Sequence, residues 1–76
     1  MNLYVISQYK NNDYDTYDSA VVAAVSEDDA RLIHPSGREW DHYTWVKKPS
    51  DVQVRLIGKA IAGTEAGVIC ASFNAG

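Results

Sequence analysis

The sequence predicts an α+β fold, a small and mostly antiparallel four-stranded sheet with one short helix on one face, in the order β-β-α-β-β. Three observations predict it. Val52-Gln53-Val54-Arg55-Leu56 alternates apolar and polar residues with the period of a strand. Ala20-Val21-Val22-Ala23-Ala24-Val25 is an apolar run of strand length. Ser26-Glu27-Asp28-Asp29 behind it is a helix start, with a serine followed three residues later by an acid.

The elements follow in chain order. Leu3 to Gln8 is rich in β-prone residues, with Leu3 and Val5 on one face and Tyr4 and Ile6 on the other, and reads as a strand buried on part of both faces. Tyr9 to Tyr17 has no aliphatic residue and reads as a loop or the mobile end of a hairpin. Ser19 to Val25 is the second strand. Its alanines keep it thin enough for a helix to pack closely. Alanine also favours one long helix from Ala20 to Ile33, and Ser26 argues against that by supplying an N-cap. Glu27, Asp28 and Asp29 then fill the first turn, where negative charge meets the helix dipole favourably. Val25 and Ala30 stand where a hydrophobic staple would form.

The helix is short, because Pro35 disfavours helical geometry at His34, and Pro35-Ser36-Gly37 is a turn signal. About two turns remain, with Ala30 and Ile33 on one side and Leu32 on a flank. Glu39 to Val46 mixes large aromatics with polar residues and reads as a loop with a short strand near Tyr43–Val46. Val52 to Leu56 is the third strand, ended or bent at Ile57-Gly58, and Val68 to Phe73 is the last.

Length bounds the rest. Seventy-six residues make one domain with a small core, because a chain of this size removes only about 60–65% of its unfolded surface from water. A single cysteine, Cys70, rules out an intramolecular disulfide. The apolar sequence around Cys70 predicts a packed strand thiol. Met1 to Val5 shows no basic n-region and no long apolar run. No secretory signal or membrane span is therefore expected, and the cytoplasm is the expected compartment.

Charge is uneven. Residues 1–29 carry Asp13, Asp15, Asp18, Glu27, Asp28 and Asp29 against Lys10 alone, a balance of −5 within a net charge of −3. Direct nucleic-acid binding is therefore not expected, since it calls for a basic face. A basic protein surface suits the acidic half better.

The chemistry-bearing patterns are few. Read as a calcium loop from Asp13, the chain has Asp18 at the glycine position and Ala24 at the closing acid, so the EF-hand pattern fails. His34, His42 and Cys70 are too few and too scattered for zinc. His34 follows the helix and can serve its last carbonyls. Gly63 and Gly67 fit no phosphate-loop spacing. No cofactor, metal or catalytic set is expected, and the reading is a non-enzymatic binding protein. Its partner-binding residues are Asp13, Tyr14, Asp15, Tyr17, Asp18, Glu27, Asp28 and Asp29, since tyrosine beside charge is characteristic of binding surfaces. The alternative is a homo-oligomer holding a nucleotide signal, with Trp40, Tyr43 and Trp45 stacking on a base and Arg38, Lys47 and Lys48 pairing to phosphate. The tryptophans have a structural role open to them as well, covering sheet that the helix leaves bare.

The opening Met1 to Gln8, the run Tyr14 to Ala24, the cap Ser26 to Arg31 and the ending Ala71-Ser72-Phe73-Asn74-Ala75-Gly76 resemble a group of small uncharacterised proteins encoded by phages and by bacteria carrying prophages. The resemblance spans most of the chain but brings no activity to any residue. In size, charge and topology the chain is also similar to anti-CRISPR proteins, in a generic way. Together with the acidic half and the missing catalytic sets, these likenesses suggest an inhibitor acting in the host cytoplasm on a host protein or protein complex. The sheet edges and face that one helix leaves uncovered make a homodimer a further expectation.

Overall fold

The computed structural model describes residues 1–74. Its elements are β1 (Asn2–Ser7), β2 (Thr16–Ala24), α1 (Glu27–Arg31), a 3-10 turn (Pro49–Asp51), β3 (Gln53–Lys59) and β4 (Gly67–Asn74). The strands form one sheet in the order β3-β1-β2-β4, with every pair antiparallel. The two apolar strands thus lie in the middle, where they can bury side chains on both faces. The predicted α+β class and its element order stand.

Alternation sorts the side chains. Tyr4 and Ile6 of β1 and Ala20, Val22 and Ala24 of β2 are buried on one face, with Ala30 of α1 and Trp45, Val46 and Val52 packed against them. The helix contributes less cover than expected. It runs only from Glu27 to Arg31, and Ala30 is its buried residue. The larger share of the cover comes from the irregular segment between α1 and β3, which brings in Trp45 and Val46. No strand forms at Tyr43–Val46, contrary to expectation. A backbone bond from the Tyr17 N–H to the Thr44 carbonyl (2.7 Å) ties that segment to the start of β2 instead.

The Ser26 cap forms as predicted, its hydroxyl accepting the Asp29 N–H at 3.2 Å. The staple does not, because Val25 points into solvent. Arg31 pairs with Glu27 one turn back (3.2 Å) and donates to the Val52 carbonyl, fastening the helix to the start of β3.

Ile57 does bend its strand. Tyr4 pairs with Leu56 and Leu3 with Gly58, leaving Ile57 as the extra residue of a β-bulge. A second irregularity lies in β4, where Val21 pairs with Cys70 and Val22 with Val68, so that Ile69 is the extra residue. On the opposite face Leu3, Val5 and Val21 are half-buried and Ala23 is fully buried. Cys70 is exposed there, which corrects the expected packed thiol. β4 is an edge strand with neither a charge nor a proline.

Candidate functional site

The loop between β1 and β2 is tied down by hydrogen bonds at several points. Buried Gln8 donates to the Asn11 and Tyr17 carbonyls (2.8 and 2.9 Å) and accepts the Asn11 N–H (2.8 Å). Asn11 in turn donates to the carbonyls of Tyr43 and Trp45 (3.2 and 2.9 Å), joining this loop to the segment that covers the core. Thr16 closes the tip by donating to the Asp13 carbonyl (2.6 Å). Asp15 takes a left-handed conformation (φ 60°), which aspartate tolerates better than most residues, and donates its N–H to the Asn74 carbonyl at 2.6 Å.

This bracing lifts some of the predicted contact residues into solvent. Asp13, Asp15 and Asp18 are exposed, and Tyr14 is 77% exposed. Tyr43, from the neighbouring segment, is 76% exposed, and Tyr9 is also exposed. Tyr17 belongs elsewhere. It is half-buried, packed edge-on against Phe73 (ring centroids 4.8 Å apart) and His34 (6.0 Å).

The structure does not gather all the acids into one patch. Glu27, Asp28 and Asp29 are exposed on α1, beyond the far end of the nine-residue β2. At about 3.3 Å per residue that strand is roughly 26 Å long, with Asp13 and Asp15 before its start, Asp18 near its start and the acids of α1 beyond its end. The unified acidic rim expected from the sequence is therefore two separate clusters.

The alternative ligand set is divided as well. Trp45 is wholly buried (0% exposed) and has no face to offer a base, which corrects its place in that set. Trp40 is half-buried, its indole N–H donating to the Val46 and Lys47 carbonyls (3.0 and 3.2 Å). Arg38, Lys47 and Lys48 are exposed, but Arg38 and Lys47 line different clefts.

The cleft with Arg38 has a volume of about 730 Å³ and is walled by Tyr17, Ser36, Glu39, Asp41, Thr44 and Phe73. Behind it lies a cluster that the sequence reading missed. His34 is buried, and its Nδ1 lies 2.8 Å from the Ser36 hydroxyl and accepts the Ser36 N–H at 3.1 Å. Its Nε2 lies 3.4 Å from Asp41 Oδ2 and 3.3 Å from the Thr44 hydroxyl. Asp41 is held by the N–H groups of Tyr43 and Thr44 (2.9 and 2.8 Å) and by the Thr44 hydroxyl.

The turn His34-Pro35-Ser36-Gly37 builds half of this cluster. The Gly37 N–H closes it on the His34 carbonyl (2.9 Å), with Pro35 at the second position, which suits its fixed φ. Gly37 sits at φ 76°, where a side chain would be strained. The turn itself was readable in the sequence. Its meeting with Asp41 was not, although an aspartate followed three residues later by a threonine is a pattern for local side-chain bonds to the backbone.

The environment sets the charges. Desolvation lowers the pKa of His34, outweighing the upward pull of the Asp41 charge and hydrogen bond, so the ring favours its neutral form. Desolvation alone would raise Asp41. Hydrogen bonds from Thr44 and Tyr43, with His34 beside them, outweigh it and hold the carboxyl below its ordinary value. Among the described residues, no three His, Cys, Asp or Glu side chains gather as a metal ion would require. No described helix is long and apolar enough to cross a membrane.

Comparison with protein-family models, curated proteins and solved structures finds no match to this chain.

Proposed function

We propose that this protein is a binding module that covers a basic surface of a larger protein assembly, as a phage-encoded inhibitor of a bacterial defence complex of the CRISPR-effector kind. The observation that carries the reading is the braced hairpin end, where Asp13, Tyr14 and Asp15 project into solvent on a loop held by Gln8 and Asn11. A surface already ordered before contact loses little conformational freedom on binding. Tyrosine supplies contact area, and the carboxylates supply attraction to lysine and arginine meant for nucleic acid. The phage source and the defence target extend the sequence resemblance described above.

The test is capture of a purified CRISPR effector complex on immobilised protein. Retention should fall as salt is raised, because exposed charges are screened beyond about 8 Å at physiological ionic strength. It should also fall when Asp13, Tyr14 and Asp15 are all replaced by alanine. Equal retention by wild type and triple variant, or none by either, counts against this reading.

A further inference from the structure

We propose that Ser36 is an activated nucleophile and that the cleft in front of it accepts small carboxylic esters, whose acyl group Ser36 takes up and then releases to water. The sequence holds no esterase motif, and the arrangement exists only once the chain folds. It goes beyond the binding role, uses a different surface, and can fail independently of it.

A serine hydroxyl needs a base within hydrogen-bond reach, and the base needs a group that fixes its tautomer. Both are present. The Ser36 hydroxyl meets His34 Nδ1 at 2.8 Å. The Ser36 N–H already donates to that nitrogen, which therefore carries the lone pair and leaves the ring hydrogen on Nε2. Nε2 meets the Thr44 hydroxyl at 3.3 Å, and that hydroxyl contacts Asp41. Asp41 Oδ2 itself lies 3.4 Å from Nε2 and is kept in place by two backbone N–H groups. The Arg38 N–H donates to the Ser36 oxygen at 3.2 Å and steadies it from the other side.

The cleft suits the substrate class. The Tyr17 and Phe73 rings form an apolar wall for an acyl chain, and Arg38 lines the same space as a source of positive charge for the oxyanion. In the first step Ser36 Oγ bonds to the carbonyl carbon while its proton passes to His34 Nδ1, whose lone pair is released by the Ser36 N–H as the proton arrives. The carbon–alkoxide bond then breaks, and the alkoxide leaves as an alcohol with that proton. Water next attacks the acyl-serine, giving its proton to Nδ1. Ser36 Oγ departs and takes the proton back, releasing a carboxylic acid. Asp41 stabilises the imidazolium during each transfer.

The test uses an alkyl fluorophosphonate, which reacts with activated serines, followed by intact mass and peptide mapping. Wild type should gain one adduct at Ser36, and Ser36→Ala should gain none there. Ser36→Ala is expected to stay folded, since the backbone N–H to His34 is untouched. Asp41→Asn should slow labelling, and His34→Gln should slow it on the order of 10²-fold or more. If His34→Gln fails to fold, the wild-type pH profile replaces it. Labelling should rise with an inflection below pH 6.5, because burial lowers the pKa of His34. Hydrolysis of p-nitrophenyl butyrate should follow the same order of variants. No Ser36 adduct on folded wild type, or labelling indifferent to both Asp41→Asn and pH, would overturn the proposal.

Discussion

On one face of the sheet, Tyr4, Ile6, Ala20 and Val22 meet Trp45, Val46 and Ala30. On the other, Leu3, Val5 and Val21 are half-buried, the small Ala23 is buried, and Cys70 is open to solvent. The same strands supply both faces, with comparable apolar residues at alternating positions. What separates them is an irregular segment that folds over one face and leaves the other alone. Apolar character therefore does not decide where this protein keeps its core. The core lies where a covering segment can satisfy its own backbone while it packs, and Asn11, Asp41 and the Trp40 indole provide that satisfaction.

The sharpest test of the contrast is a pair of truncations. Trp45→Ala should cost about 3–5 kcal/mol in denaturant unfolding, the range for large aromatics removed from a core. Val21→Ala on the open face should cost about 1 kcal/mol or less. Equal losses would mean that the open face is as well packed as the covered one. Trp45→Phe should cost less than Trp45→Ala, because the indole N–H of Trp45 is buried without a partner and phenylalanine removes that group.

Next in size is Asn11→Ala, which takes the donor from the Tyr43 and Trp45 carbonyls. A loss of about 1–3 kcal/mol is expected, with faster amide exchange in the 41–45 segment. If stability falls but exchange there is unchanged, Asn11 does not hold the cover down. Ser26→Ala should cost about 1 kcal/mol, read as a drop in the thermal midpoint, since the Asp29 N–H loses its acceptor.

Acid probes the covered side most gently. His34 has a lowered pKa in the folded state, so the unfolded chain binds its proton first as pH falls through the ordinary value of 6.5. Stability should decline from there until the folded ring also protonates. Asp41 is likewise lowered from 3.8, so its stabilising contribution is present above that value and is lost below it as the folded carboxyl takes a proton. Thermal midpoints measured from pH 7.5 to 3 should show the first decline in wild type. A flat profile between pH 7 and 5 would remove His34 from this account.

The strands were legible because their signal is local. Val52 and Val54 alternate with Gln53 and Arg55 in sequence as they do in space, and Ser26 lies three residues from the N–H it accepts. The covering segment was not, because its order comes from partners far along the chain, as in Asn11 reaching Trp45 across 34 positions. Trp45 stands between Thr44 and Val46, too short a pattern to reveal which side it faces. Cys70 misled for a related reason. Its apolar neighbours suggested burial, yet it lies on an outer strand over which no described segment folds. The candidate surface was half readable. Asp13, Tyr14 and Asp15 stand out in solvent as their composition suggested. The distance between that group and the acids of α1 depended on the length of β2.

The outer rim of β4 has a practical meaning for handling the molecule. Eight residues lacking both lysine and proline present amides and carbonyls in a row, the template on which foreign strands add and sheets lengthen. Both outer strands carry a bulge, but Arg55 and Lys59 on the opposite margin add charge that discourages such docking, so concentrated samples are most exposed to ribbon-like growth along β4.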